Sequence, residues 1–81
     1  MPKIFEWHGY KFFFYANEGD PREDCHIHVR KGEKVAKFWI NPRIELESSY
    51  EMNSGELTSL QKVVEKNADM IRRRWNEFFR A

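Results

Sequence analysis

The sequence predicts a single α+β domain: an antiparallel sheet of about four to five strands, followed by one long C-terminal amphipathic helix. Aromatic residues make up 16% of the chain, and many lie in short runs before residue 50. Gly, Asn and Pro separate those runs, as expected for strands joined by tight turns. Beyond residue 53 apolar residues recur every three or four positions, which is typical of a helix. With 81 residues, the chain has the length of one domain, with the sheet over about 3–49 and the helix over about 54–80.

The first two strands are predicted as a hairpin with a two-residue turn at His8-Gly9. This turn sets Glu6 opposite Lys11, and opposite charges across from each other support the register. Because side chains alternate across a strand, one face becomes strongly aromatic and is assigned to the core: Phe5, Trp7, Tyr10, Phe12 and Phe14. The other face carries the charged pair together with Ile4, Phe13 and Tyr15.

A second hairpin is predicted with its turn at Lys31-Gly32, which sets Arg30 opposite Glu33 as another charge pair. In this register the core residues are Cys25, Ile27, Val29, Ala36, Phe38 and Ile40. The reverse face carries His26, His28, Val35, Lys37 and Trp39. A slip of one residue would exchange the two sets. After a turn at Asn41-Pro42, a short fifth strand is expected from Ile44 to Ser48.

The helix is predicted from Asn53 as N-cap with Glu56 three residues later, which is a capping-box pattern. One apolar stripe then runs along it: Leu57, Leu60, Val64, Ala68, Ile71, Trp75 and Phe78. A helix of about 25 residues is roughly 38 Å long, which exceeds the reach of so small a sheet. We therefore expect its last turns to project or to cover another surface.

The most specific candidate site is the His26-Ile27-His28 strand, preceded by Asp24. Two histidines two residues apart face the same way, so both imidazoles can reach one divalent metal, with Asp24 or Glu23 completing the shell. The alternative is a polar strand face whose histidines bond to neighbours. No cofactor is predicted beyond this candidate metal. Cys25 is interpreted as a small buried hydrophobic residue, and no hydrolase or nucleotide-binding motif is present.

The densest basic run is Arg72-Arg73-Arg74. These arginines are candidate phosphate contacts, because a helix rich in cations can follow a nucleic-acid backbone. Glu65, Asp69 and Glu77 interleave with the basic residues of the helix at three- and four-residue spacings, which favours intrahelical salt bridges on a solvated face instead. Both interpretations stay open at this point.

A predicted interaction surface lies on the sheet face opposite the presumed core, where Phe13, Tyr15 and Trp39 fall together. One helix cannot cover both faces of a sheet, and contiguous exposed aromatic residues usually mark an interface. The outer helix end, with Trp75 and Phe79, is assigned to the same surface. The alternative is that the C-terminal turns fold over this face within the chain itself.

Composition limits the class of protein. The net charge is +1, so charge alone does not indicate nucleic acid. Cys25 is the single cysteine, which excludes an intrachain disulfide and a cysteine-based zinc cage. The chain reaches the acidic Glu6 before any apolar run, and no apolar stretch is long enough to span a bilayer. We therefore expect a cytoplasmic protein without a membrane segment.

Several strings together resemble the small prokaryotic "domain of unknown function 4160" family: FFFYANEG, HIHV, AKFWINP, ELTSLQKVVEKN and RWNEFF. In that family Pro or Arg commonly precedes the first histidine, whereas Glu23-Asp24-Cys25 stands here. The resemblance implies no catalytic residue, because the family has no established activity. It implies one half of a two-gene, toxin–antitoxin-like pair, and hence a protein partner.

The sequence thus favours a small interaction module that binds a protein partner or forms a homodimer, and an enzyme is the less favoured class. A metal-dependent enzyme acting on RNA or DNA through the His-x-His strand is the first alternative. A non-catalytic nucleic-acid binder is the second.

Overall fold

The computed structural model of the protein describes residues 3–15 and 24–79. Within them, five strands form one antiparallel sheet in chain order, and two helices follow. The α+β architecture predicted from the sequence is confirmed. The elements are β1 (Lys3–Trp7), β2 (Tyr10–Phe13), β3 (His26–Lys31), β4 (Lys34–Trp39), β5 (Glu45–Tyr50), α1 (Ser54–Lys66) and α2 (Ala68–Phe78).

The first hairpin has the predicted register, with Glu6 opposite Lys11. Its turn residues His8 and Gly9 have φ values of 49° and 81°, and two successive positive φ angles are what the tightest hairpin turns require. The pairing is irregular between Lys3 and Phe5. Ile4 accordingly packs against the core, and its predicted place on the opposite face is wrong.

The second hairpin has a different turn from the one predicted. Gly32 and Glu33 form the loop, and Lys31 lies opposite Lys34. Arg30 therefore faces Val35, and the predicted Arg30–Glu33 pair does not form. The register differs from the prediction by two residues, so every side chain keeps its predicted face, because faces alternate with a period of two.

The fifth strand runs over Glu45–Tyr50, later than the predicted Ile44 to Ser48. Ile44 precedes the strand and packs against the core. All six residues of β5 are exposed, as expected for a short strand at the sheet edge.

The prediction of one helix over 54–80 is wrong, because the helical path divides at Asn67. This residue has φ −108° and ψ 13°, and its side-chain Nδ2 donates to the Val63 carbonyl at 2.8 Å. Asn competes with helical backbone bonding in this way, which is why it is disfavoured inside helices. Both segments pack their stripe against the core except Phe78, which is exposed, so the expected overhang of a straight helix is replaced by two shorter helices. The predicted helix end at residue 80 lies outside the described residues.

The predicted capping box is present at the start of α1. The Glu56 backbone N–H donates to Asn53 Oδ1 at 2.8 Å, and the Asn53 N–H donates to Glu56 Oε1 at 3.1 Å. Glu56 Oε2 also accepts from the Tyr10 hydroxyl at 2.6 Å and from Lys34 Nζ at 2.9 Å. These bonds hold the pKa of Glu56 at about 2, below its usual 4.5. One carboxylate therefore caps α1 and anchors it to β2 and β4.

The hydrophobic core lies between the helices and one side of the sheet, which we call the core face. Strand residues supply rings and aliphatic side chains, and the helices supply the predicted stripe. The buried members are Tyr10, Phe12, Phe14, Cys25, Ile27, Val29, Ala36, Phe38, Ile40, Leu60, Val64, Ala68, Ile71 and Trp75. Core packing thus accounts for one side of the sheet, and the other side carries the candidate sites.

Candidate functional site

The side of the sheet opposite the core face, which we call the second face, is defined by the strand register. Across the middle strands, Lys11 lies opposite Arg30 and Phe13 lies opposite His28. His28 in turn lies opposite Lys37. Cations and aromatic rings therefore alternate on one continuous surface. The surface also includes Val35, Trp39, Ser48 and Tyr50.

One depression of the second face lies over β3, β4 and β5 and has a volume of about 260 Å³. We call it the aromatic depression; it is lined by Tyr15, His28, Val35, Ala36, Lys37, Ser48, Ser49 and Tyr50. Three of these apolar or aromatic side chains stay well exposed: Tyr15 and Val35 at 36% each, and Tyr50 at 60%. No carboxylate is among the lining residues that the structure describes.

The rings beside this depression support one another. Phe13 is only 4% exposed, and its ring stacks on His28 with centroids 5.7 Å apart. Tyr15 packs edge-on against both, at 5.1 Å from Phe13 and 4.5 Å from His28. Phe13 therefore forms the floor of the second face, and Tyr15 presents the accessible ring.

His26 and His28 lie on the same face, as predicted, with ring centroids 5.1 Å apart. Their surroundings differ, because His28 is half-buried and His26 is fully buried. The His26 ring packs between Trp39 at 5.5 Å and Trp75 at 4.8 Å. Its Nδ1 donates to the Asp24 carbonyl oxygen at 2.9 Å, since a carbonyl can only accept. His26 is thus packed as part of the fold.

The candidate metal shell is only partly assembled by these residues. Asp24 approaches His26 through its backbone carbonyl, and its side chain is exposed. Residues 3–15 and 24–79 contain no group of three or more His, Cys, Asp or Glu side chains placed to hold a metal ion. Glu23 lies outside the described residues. The divalent metal site remains a prediction from the sequence, with two neighbouring imidazoles as its geometric basis.

Cys25 is buried in the core, as its predicted orientation required. Burial raises the pKa of its thiol to about 12, and Arg72 offsets this only partly. The thiolate is the nucleophilic form of cysteine, so this side chain is unsuited to nucleophilic chemistry at neutral pH.

Trp75 and Phe79, assigned from the sequence to the interaction surface, lie at the outer end of α2. Trp75 is buried in the core, with its ring 5.1 Å from Phe14. Phe79 packs on Trp75 at 4.2 Å. Trp75 also contacts His26, so the C-terminal part of α2 packs against the sheet beside His26. Tyr15, Val35 and Tyr50 stay exposed on the second face.

The three arginines of α2 have different surroundings. Arg72 donates to Asn41 Oδ1 at 2.9 Å, to the Ile40 carbonyl at 3.4 Å and to Asp69 Oδ1 at 3.1 Å. Its guanidinium therefore ties α2 to the loop after β4. Arg73 and Arg74 are exposed.

A second depression, which the sequence did not indicate, lies over β1, β2 and β3. It has a volume of about 490 Å³, and among the described residues four cationic but no acidic ones contribute to its lining. We call it the basic depression: Lys3, Gly9, Lys11, Phe13, Arg30, Lys31 and Gly32. Its members are far apart in the sequence, and only the pairing of β2 with β3 brings Lys11 next to Arg30.

No helix in the described part of the chain is long and apolar enough to cross a membrane. Neither the curated proteins nor the solved structures contain a match to this chain. A family model described as "Domain of unknown function (DUF4160)" matches residues 9–76, which is most of the chain. The match includes β2 to β5, α1 and most of α2. The chain therefore belongs to the DUF4160 family, as its sequence motifs indicated.

Proposed function

We propose that this protein is a small interaction module, one component of a toxin–antitoxin-like pair, which binds a protein partner through the aromatic depression. One observation carries the proposal. Both helices pack most of their stripes into the core, while Tyr15, Val35 and Tyr50 of the second face stay exposed.

The lining of the aromatic depression has the chemistry of a protein interface. Tyr and Trp are enriched at such interfaces, and large rings at the centre of a patch commonly contribute most of the binding energy. Tyr15, Val35 and Tyr50 are exposed around one concave surface. Ser48 and Ser49 add hydroxyl groups to the lining. An apolar side chain of a partner would fill the depression, with polar contacts at its margin.

The charges of the second face favour a different protein over a second copy of this chain. Lys11, Arg30 and Lys37 all project from the middle strands on this side. Two copies packed face to face would bring their cations together, and like charges at an interface are unfavourable. A partner with carboxylates around an apolar centre would complement both features.

The toxin–antitoxin-like part of the proposal derives its support from the family. The family resemblance implies a two-gene pair, and the family description assigns no activity. On this proposal a second small protein is encoded beside this one, and its product is the natural probe. A metal-dependent enzyme has less support, because the described residues supply two imidazoles without a third ligand.

The proposal is tested by co-expressing the protein with the neighbouring gene product and measuring the assembly by native mass spectrometry. We expect a one-to-one complex. Tyr50→Ser should weaken it by about thirtyfold in calorimetric titration, which corresponds to a hot-spot loss of about 2 kcal/mol. Phe78→Ser is the matched control, because Phe78 is also an exposed ring, at 41%, but lies on α2.

Three results would contradict this assignment. The first is a lack of any complex, and the second is a dimer of the protein alone that Tyr50→Ser separates. The third is an equal loss of affinity in Tyr50→Ser and Phe78→Ser, which would place the contact elsewhere. Growth of cells expressing the protein with and without its neighbour then tests the toxin–antitoxin relationship.

A further inference from the structure

From the basic depression we infer that the protein also binds the phosphodiester backbone of single-stranded nucleic acid. This surface lies over β1, β2 and β3, whereas the aromatic depression lies over β3, β4 and β5. The two surfaces share no lining residue. Partner binding and nucleic-acid binding can therefore be tested separately.

The central feature is the pairing of Lys11 with Arg30 across neighbouring strands. Like charges directly opposite each other destabilise a sheet. Neither side chain forms a salt bridge within residues 3–15 and 24–79. Glu6 lies opposite Lys11 in β1 and also pairs with Lys3, so one carboxylate is shared by the cations of this surface. The cations are in excess, and a bound anion would remove the remaining repulsion between Lys11 and Arg30.

Two further cations border this pair, and the chain partly fixes their positions. Lys31 Nζ donates to the His8 carbonyl at 3.3 Å and lies 4.8 Å from the centre of the Tyr10 ring. Lys3 pairs with Glu6 at 3.3 Å at the sheet margin. Arg30 Nε donates to the Gly32 carbonyl at 3.2 Å, which orients its remaining guanidinium donors. The Lys31 ammonium is thus directed towards the core-face residue Tyr10, and Lys3 is held by Glu6 at the margin. Lys11 and the oriented guanidinium of Arg30 are the central donors for an anion, and the other two cations add charge nearby.

The types of cation favour phosphate over an acidic protein surface. Three of the four basic lining residues are lysines. Lysine is depleted at protein interfaces, whereas both lysine and arginine bind phosphate groups. A nucleic-acid backbone also supplies several phosphates in a row, which suits cations spread over neighbouring strands spaced about 4.8 Å apart.

Single-stranded nucleic acid suits the surroundings of the basic depression. Proteins that bind single strands combine a cationic track with aromatic rings on which bases stack. Phe13 belongs to the lining but is nearly buried, so it supports the surface. The Tyr15 ring packs edge-on against Phe13 at 5.1 Å and is 36% exposed, which places a partly exposed ring beside the cations.

The inference is tested by fluorescence anisotropy with labelled single-stranded RNA and DNA oligomers of about 12 nucleotides. With three to four phosphate contacts, the affinity should fall about 20- to 50-fold between about 50 and about 200 mM salt. The double variant Lys11→Gln/Arg30→Gln should lose only about 3- to 7-fold over the same range. Its urea midpoint should stay close to that of the parent protein, because the variant loses both the repulsion between Lys11 and Arg30 and the attraction between Lys11 and Glu6.

The matched control is Lys62→Gln/Lys66→Gln, which removes the same charge from an exposed part of α1. We expect it to keep the steep salt dependence. An equal flattening in both double variants would overturn the inference, since net charge alone would then explain binding. So would an absence of binding to either oligomer at low salt. Equal affinity for a poly-glutamate peptide of similar length would assign the surface to an acidic protein instead.

Discussion

The two faces of the sheet use the same strands but differ in what covers them. On the core face, Phe12, Ile27 and Phe38 are fully buried under the helices. On the second face, Tyr15, Val35 and Tyr50 remain exposed beside a row of cations. Both faces are rich in apolar side chains, so hydrophobicity alone does not distinguish them. The difference lies in the position of α1 and α2, and it separates residues that stabilise the fold from residues available for binding.

The largest difference in stability is expected when one residue on each face of the sheet is truncated. Phe38→Ala removes a fully buried ring and should lower the free energy of unfolding by about 3–5 kcal/mol. Tyr50→Ala should change it by less than about 0.5 kcal/mol, because Tyr50 is mostly exposed. Urea unfolding followed by tryptophan fluorescence measures both. Comparable losses in the two variants would mean that the second face also belongs to the stabilising core.

A smaller effect on stability is expected from the two histidines of β3, which lie on the same face of the sheet but differ in burial. His26→Ala should cost about 2 kcal/mol or more, because it empties a site packed between Trp39 and Trp75. His28→Ala should cost less than half of that, since His28 is only half-buried. Thermal unfolding of both variants gives the ranking, and the reverse order would contradict the burial described for His26.

The smallest expected effect concerns Glu56, which links the helices to the core face. Its pKa is about 2 in the folded protein, below the usual 4.5. The folded state therefore binds this proton less readily than the unfolded chain, so its stabilising contribution is complete above pH 4.5 and is lost as the pH falls towards 2. Glu56→Gln should flatten the pH dependence of stability in that range.

Urea midpoints of both proteins at several pH values measure this difference. Gln can still serve in a capping box, so the variant isolates the loss of the charge. Parallel curves for the two proteins would show that Glu56 is not the group responsible.

Local signals predicted the hairpins and the helix cap well. His8-Gly9 admits one favourable two-residue turn, so the register of β1 and β2 followed from the sequence. Around Gly32, two neighbouring turns were both plausible, and the apparent Arg30–Glu33 charge pair pointed to the wrong one. The assignment of faces survived because the error was an even number of residues.

Long-range features could not be read from the sequence. Tyr10 and Glu56 are 46 positions apart, and no periodicity indicates their hydrogen bond. The basic depression likewise depends on β2 lying beside β3, which periodicity within each strand does not reveal. The division of the helix had a local signal, because Asn67 is a poor helix-interior residue, but the apolar stripe continued through it.

The order of the strands has a consequence for how the protein is made. Each strand pairs with the one before it in the chain, so the sheet needs only short-range contacts and can assemble progressively during synthesis. The helices that cover the core face are synthesised after all five strands. Until they emerge, Phe12, Ile27 and Phe38 have no helix over them, and a nascent chain at that stage is the one most exposed to aggregation.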